Sequence, residues 1–358
     1  MYRYTRKSSD FSPQAIKLHH KNGSFTTNST IPRHCRLQIA AGVFIALYLP
    51  PEKCHPRLDK KTNTKRHPRL DKKTNTKRHP RLDRGSNTST MKFKNANVLI
   101  TGGASGIGRI MGRMALEKEA KCFIIWDINA QGIESTCKEF SKYGNVRGYV
   151  VDVSDNEAIK AAYRTTVEEC GDIDILINNA GIITSNKTFD KQTESEIVRT
   201  MQINTLAPMF VTLAMLPDML KRDKGHICNI ASAGGMLANP KMSVYTASKW
   251  AAIGWSDSVR IELQQMKSNV HVTTVAPFYI RTGMFEGVNS WLIPILPPEY
   301  VCKRVIRAIE RNTIFRGIPF GSHFIRFWQT VLPTCAFDLI FGKVVGLYHA
   351  MDDFTGRK

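Results

Sequence analysis

The sequence predicts an α/β fold, a Rossmann-like doubly wound parallel sheet, and three observations carry that prediction. Short apolar runs alternate with helix-length stretches from Asn95 onward. The runs are nearly continuous in apolar residues, as strands covered on both faces are. The first run leads straight into a glycine-rich turn and a helix, the opening of a right-handed βαβ unit.

Residues 1–90 stand apart from this pattern. The chain has 358 residues and a net charge of +21, from 51 Lys+Arg and 30 Asp+Glu; residues 1–90 hold 20 and 5 of these. The rest is close to balanced, so the charge belongs to an N-terminal extension and no nucleic-acid partner is expected. Within residues 1–54, Leu37–Leu49 is an apolar run preceded by Arg33 and Arg36. It falls short of the roughly 20 residues that span a bilayer, and reads equally as a truncated anchor or a fortuitous apolar patch. Residues 55–66, HPRLDKKTNTKR, recur unchanged at 67–78, and His79–Asp83 begins a third copy. A unit whose one sizeable apolar residue is Leu cannot bury enough surface to offset chain entropy, so 55–90 is expected to be a disordered basic segment.

A single α/β domain is expected over 91–321. Its strands are VLIT (98–101), CFIIWDI (122–128), VRGYVVDV (146–153), IDILIN (173–178), GHICNIAS (225–232) and VHVTTVAP (270–277). Helices are expected at Ile107–Glu119, Ala130–Tyr143 and Asn156–Cys170. The eight cysteines form no C-x-x-C pair and no zinc-spaced group with His, so reduced thiols and no metal site are expected.

After the first strand comes Thr101-Gly102-Gly103-Ala104-Ser105-Gly106-Ile107-Gly108. Glycines at such a turn let the backbone approach a pyrophosphate, which rests on the unpaired amides of the following helix. Gly102, Ser105, Gly106, Ile107 and Gly108 are therefore candidate cofactor contacts. Asp127 closes the second strand, where a carboxylate bonds the adenosine ribose and repels a 2′-phosphate. Neither Ile128 nor Asn129 is basic, so NAD is the expected cofactor. An Asp that merely caps the next helix would look the same in sequence.

Tyr245 and Lys249 are four residues apart, one helical turn, and so face the same way. A free Tyr, with a pKa of about 10, is ionised to only about one part in a thousand near neutrality; a neighbouring Lys charge is expected to bring its pKa toward the working range. Y-x-x-x-K alone arises by chance about once in a chain of this size. Ser232 ends the strand GHICNIAS, at the sheet edge where ligands bind in this architecture, and can hold a substrate oxygen beside Tyr245.

Together these motifs resemble the short-chain dehydrogenase/reductase family over about 230 residues: TGGASGIG at 101–108, Asp152-Val153, Asn178-Asn179-Ala180-Gly181, Asn204, Ser232, Tyr245 with Lys249, and Pro277 with Thr282. The resemblance implies that Tyr245 is the general acid/base, that Lys249 lowers its pKa and binds the nicotinamide ribose, and that Ser232 positions the substrate oxygen. It implies that Asn204 holds a water in a proton relay through Lys249. Asp152 and Val153 would border the adenine, Asn179, Ala180 and Gly181 the adenosine side, and Ile280 and Thr282 the carboxamide, with Pro277 a further cofactor contact. Phe278 departs from the family pattern, which has Gly after this Pro in many members.

GHICNIASAGG (225–235), VYTASKWAAIGWSDSVRIEL (244–263), VAPFYIRTGMFEGV (275–288), IPILPPEYV (293–301) and the closing YHAMDDFTGRK look like the subgroup of epidermal-type retinol dehydrogenases and 17-beta-hydroxysteroid dehydrogenases. That resemblance implies a lipophilic alcohol or carbonyl as substrate: a retinoid, a steroid or a long-chain lipid alcohol. It implies an endoplasmic reticulum membrane or lipid-droplet location facing the cytosol, or a cytoplasmic one if translation starts at Met91. A homodimer is also expected. Phe278, Tyr279, Met284, Phe285, Trp291, Leu292, Ile293, Ile295 and Leu296 supply an apolar lid that suits such a substrate and excludes water.

Residues 322–358 are expected to form an apolar tail packed on the domain, a partner or a membrane. Within the apolar stretch 314–349, Phe320, Phe324, Phe327, Trp328, Val331 and Leu332 fall near helical spacing on one face. The alternative function is a dehydrogenase-like scaffold that binds cofactor or lipid without turnover; the intact Asn204, Ser232, Tyr245 and Lys249 set weighs against it.

Overall fold

The computed structural model describes residues 92–288 and 294–356. The apolar run Leu37–Leu49, the basic repeats, Met91 and the lid residues Trp291, Leu292 and Ile293 lie outside the described residues.

A 7-stranded parallel sheet forms the centre, in the order β3-β2-β1-β4-β5-β6-β7. Its strands are β1 (Asn97–Thr101), β2 (Cys122–Asp127), β3 (Val146–Val150), β4 (Ile175–Asn178), β5 (Gly225–Ile230), β6 (Val270–Pro277) and β7 (Phe315–Ile318). The sequence expected the first six, with β3 running three residues further; β7 was not anticipated. All of β1 and β4 is buried, which explains why their sequences are unbroken apolar runs. The chain winds outward through β1, β2 and β3, then returns to the other side of β1 as β4. That reversal opens a crevice at the carboxyl ends of β1 and β4, the ligand position in a doubly wound sheet.

Helices α1 (Gly106–Glu117), α2 (Ala130–Phe140) and α7 (Pro298–Glu310) cover one face, over a core that includes Ile100, Met111, Phe123, Phe140 and Val305. Helices α3 (Asn156–Cys170), α5 (Ala207–Lys221) and α6 (Ser243–Gln265) cover the other, over Leu99, Trp126, Ile159, Met215 and Leu263. Local chemistry starts several of these helices. Asp155 accepts from the Glu157 and Ala158 amides, and Asn129 accepts from Gly132. Thr193 and Glu196 form a capping box at α4 (Glu194–Met201). α4 runs through a π-helical turn, Gln202–Leu206, into α5. This joined stretch, Glu194–Lys221, is long and apolar enough to cross a membrane, but Val211, Met215 and Met219 pack into the sheet core, as in an ordinary core helix.

A buried polar chain ties the second layer together. Asn178 donates to Asn229 Oδ1 and Thr212 Oγ1, Asn229 donates to Ser256, and Ser256 shares a 2.6 Å bond with Thr274.

His226 on β5 is fully buried, with Nε2 2.9 Å from Thr273 Oγ1. Burial, reinforced by His271, holds its pKa down to about 3. The fold therefore accepts the neutral ring. Stability is complete above the free imidazole value of about 6.5 and is lost as pH falls from there toward 3, by about 1.4 kcal/mol per unit. Chemical denaturation at pH 7 and at pH 5 is expected to differ by about 2 kcal/mol on this account. His226→Leu should remove most of that difference; an unchanged pH dependence would assign the acid sensitivity elsewhere.

Beyond residue 321 the chain folds back on the domain through α8 (Ile325–Val331) and α9 (Thr334–Phe337), with Phe337, Leu347, Ala350 and Met351 buried. Phe320, Phe324, Phe327, Trp328 and Val331 are exposed. Leu296, expected in the lid, belongs to the core beside α7, where it bridges Ile280.

Candidate active site

Two adjoining cavities cross the carboxyl edge of the sheet, about 150 Å³ and about 730 Å³ in volume, with Gly102, Ser105, Ala180 and Gly181 in both walls. Asp127, Asp152 and Val153 line the larger one, which also takes in Ile182, Arg199 and Gln202. Ser232, Tyr245, Lys249, Pro277, Ile280 and Thr282 line the smaller, with Ile107 and Asn179. The sequence-based candidates thus meet in one elongated cleft, except Gly108 and Asn204, which stand behind its walls.

The middle of the cleft is the start of α1. Ser105 occupies the N-cap without using its side chain there, so first-turn amides are left for a ligand. Gly106 has φ +53°, and a Cβ there would meet nothing within 4 Å, which leaves an open cradle at that amide. Gly108 has a packing role: a Cβ would fall 2.2 Å from Gly102 O, so glycine is what lets helix and turn approach. Thr101 Oγ1 accepts from the Asn179 and Ala180 amides, and Asn179 Nδ2 donates to Thr101 O and Gly102 O. β1 and β4 are thereby locked at the switch point. An elongated cleft with acidic residues at one end and free helix amides at its middle fits a dinucleotide.

Asp127 is more committed than its sequence position suggested. Its Oδ2 accepts from Ala104 N and its Oδ1 from Asn129 N, both at 3.0 Å. The carboxylate braces the glycine turn while still lining the cleft. Asp152 likewise accepts from the Ser154 amide and hydroxyl.

At the other end, α6 places Tyr245 and Lys249 one turn apart, both buried. Tyr245 packs edge-on to Phe285, ring centroids 6.4 Å apart, within a cluster that includes Met242, Tyr279 and Met351. Burial pushes the Tyr245 phenol up to about 12, and the Ser232 hydroxyl draws it partly back. Lys249, whose Nζ donates to Ile230 O at 3.2 Å, is brought down to about 8 by burial. Its ammonium lies 5.8 Å from the Tyr245 ring centroid. Burial sets the direction of the Tyr245 shift and the Ser232 hydroxyl opposes it, while the Lys249 charge, expected to lower the phenol, does not reverse the effect of burial.

Asn204 sits in the π-helical turn, a distortion common at functional sites. Its Oδ1 accepts from Ile182 N, and its Nδ2 donates to Ile182 O and Ser248 Oγ. A Cβ built on Gly181 would be 3.2 Å from Asn204 Oδ1 and 3.4 Å from Lys249 Nζ, so both groups flank the same spot.

Several contributors were not singled out from sequence. Arg199 enters from α4, and Asn239, Met242 and Met351 surround a small pocket beside Tyr245. Asn239 donates to Tyr279 Oη, and Asn186 holds the Met351 carbonyl at 2.8 Å. Only Met351 lay in a stretch with a sequence signal, the closing YHAMDDFTGRK; the others come together through tertiary structure alone.

Comparison with known proteins gives this cleft its context. The family model described as short chain dehydrogenase matches residues 96–293. Human epidermal retinol dehydrogenase 2 is 35% identical over 267 residues, 73% of this chain and 85% of that protein. Estradiol 17-beta-dehydrogenase 11 of Pongo abelii is 35% identical over 240 residues, 66% of this chain and 79% of that protein. Among solved structures, levodione reductase aligns with a TM-score of 0.59 at 25% identity, covering 65% of this chain and 99% of that one. A short chain dehydrogenase/reductase from Burkholderia phymatum in complex with NAD aligns with a TM-score of 0.61 at 20% identity, covering 70% and 96%, and so shares the fold. The chain belongs to the short-chain dehydrogenase family and is an oxidoreductase of that family.

Proposed function

We propose that the protein transfers a hydride between NAD(H) and a lipophilic primary or secondary alcohol or its carbonyl, of retinoid, steroid or long-chain lipid type. The observation that carries this reading is the convergence of Tyr245, Ser232 and Lys249 on one end of a dinucleotide-sized cleft. The names of the similar retinol and estradiol dehydrogenases support the substrate class. Asp127 at the far end, with no basic residue at Ile128 or Asn129, supports NAD over NADP.

The chemistry supplied by the bound nicotinamide is acceptance of a hydride from the carbinol carbon, or its return. The chain's own residues manage the oxygen and its proton. Ser232 Oγ positions the substrate oxygen beside the Tyr245 phenol. In oxidation the Tyr245 phenolate takes the hydroxyl proton; in reduction the phenol donates its proton to the carbonyl oxygen. Lys249 holds positive charge near that exchange and binds the cofactor ribose, and Asn204 keeps the adjoining backbone at Ile182 in place beside it. Asp152, Val153, Asn179, Ala180 and Gly181 hold the adenosine side, and Pro277, Ile280 and Thr282 the carboxamide. Phe278, Tyr279, Met284 and Phe285 exclude water.

A screen of retinol, estradiol and long-chain alcohols, followed by NADH absorbance, tests the reading. Turnover of at least one of them with NAD is the expected result. Cofactor or lipid binding with no turnover of any would favour the silent scaffold instead.

The exposed Phe320, Phe324, Phe327, Trp328 and Val331 support placement of the enzyme at a membrane or lipid-droplet surface, with endoplasmic reticulum membrane as the compartment. Exposed Leu213 on α5 supports a homodimer. Residues 1–90 are proposed to be dispensable for catalysis. Among the described residues, Phe93 is the first that is buried in the core, and β1 begins at Asn97. A chain starting at Met91 should therefore keep its Tm and kcat nearly unchanged. An insoluble or inactive Met91 chain beside an active full-length one would overturn that.

A further inference from the structure

The pocket beside the catalytic groups is too small for the substrate class proposed. Its cavity, walled by Ser232, Tyr245, Tyr279, Phe285 and Met351, measures about 30 Å³. That is the space of roughly one water, whereas drug-sized ligands occupy about 300–1,000 Å³. The neighbouring cavity of about 150 Å³, which shares Ser232, Tyr245 and Phe285 with it, is also walled by Pro277, Ile280 and Thr282 and so has to take the nicotinamide end of the cofactor.

The missing volume lies behind a thin partition. A second cavity of about 340 Å³ sits between the segment after Ser232 and the folded-back C-terminal chain. Leu237, Ala238 and Leu347 line both it and the catalytic pocket. Trp250, Phe337 and Phe341 complete its apolar wall. The longer polar side chains of that wall are already engaged: Gln329 Nε2 donates to Met236 O, and Tyr348 Oη donates to Asp338 Oδ1. The chamber therefore offers mainly apolar surface. Leu347, buried in one cluster with Leu237 and Phe337, stands on a turn rather than in a regular helix, so its side chain can swing aside without unwinding an element.

We propose that this chamber binds the distal apolar end of the substrate, a long or polycyclic lipophilic alcohol, with Leu347 and Leu237 as the partition it passes. The inference rests on the reading that a lipophilic alcohol reacts at Tyr245. The C-terminal segment then sets chain-length specificity, because each methylene buried in such a chamber multiplies affinity by about fourfold.

The test uses the full chain and two readouts. Trp250, in the chamber wall, reports occupancy: ω-bromododecanol should quench the emission that Trp250→Phe removes, and ω-bromobutanol should not. Thr334→Phe, at an exposed position on the chamber's outer wall, and Leu347→Phe, at the partition, should each abolish that quenching. Each should also lower the dodecanol-to-butanol ratio of kcat/KM by about tenfold or more. Absence of Trp250 quenching by the long probe, or equal quenching in both variants, would overturn the chamber. So would an unchanged dodecanol-to-butanol ratio. A wild type that turns over no alcohol but shows the quenching pattern would sink the activity reading and leave the chamber standing.

Discussion

Replacing Tyr245 with Phe is expected to lower kcat for alcohol oxidation and carbonyl reduction by on the order of 10²–10⁴, with cofactor affinity unchanged. The substitution deletes one oxygen and keeps the ring. The ring's packing against Phe285, Met242, Tyr279 and Met351 therefore survives. Stability should hold as well, since the phenol is a polar group buried at a desolvation cost and only its bond with Ser232 is lost. Loss of turnover without loss of Tm separates a chemical role from a structural one. A variant that keeps more than about a tenth of the wild-type rate would remove Tyr245 from the acid/base role.

The pH dependence of the wild type follows from the same burial. With its pKa pushed up to about 12, Tyr245 is protonated at neutrality. It is thus ready to donate in reduction, while oxidation depends on the small phenolate fraction, which grows about tenfold per pH unit below the pKa. Oxidation should rise with pH from 6 to 8. Above about 8, Lys249 loses its charge and the help that charge gives the phenolate, so the rise should flatten there. Reduction should change little over the same range. A pH-independent oxidation rate in single-turnover measurements would contradict this assignment.

Much of this site was legible in the sequence because the information is local. β1 and its glycine turn are contiguous, and Tyr245 and Lys249 share a helix, so spacing alone orients them. Strands buried on both faces announce themselves as unbroken apolar runs. What stayed hidden depends on contacts distant in sequence. β7 is only four residues, Phe-Arg-Gly-Ile, at the sheet edge, too short and mixed to stand out. The π-helical turn at Gln202–Leu206 breaks the 3.6-residue period that pattern reading assumes. Leu296 resembled a lid residue because an apolar loop and an apolar core segment have the same composition; only its bridge to Ile280 separates them. Met351 closes the pocket beside Tyr245 from more than a hundred residues away, tied down by Asn186 and by the Lys241–Asp352 ion pair. No periodicity encodes such a contact.

Asp127 illustrates how that hidden layer reshapes an expected result. Position alone suggests that Asp127→Ala should simply relax the preference for NAD. A dianionic 2′-phosphate about 5 Å from a carboxylate is repelled by about 2 kcal/mol even at the dielectric of bulk water, and by more in a partly closed cleft. Removing the carboxylate should therefore shift the NADP-to-NAD ratio of kcat/KM by on the order of a hundredfold. The structure adds a second effect. Asp127 also accepts from the Ala104 and Asn129 amides, so the variant leaves the glycine turn without its brace. Activity with NAD should fall by about tenfold, the cost of one or two charge-assisted bonds. Asp127→Asn discriminates the two effects. Its carbonyl oxygen can still accept from Ala104 N while the charge is gone, so it should recover the NAD loss and keep the shift toward NADP. Measured kcat/KM with both cofactors for wild type, Ala and Asn decides the matter. A wild type that uses NADP as well as NAD, or an Asn variant indistinguishable from wild type in the ratio, would show that Asp127 braces the turn and does not select the cofactor.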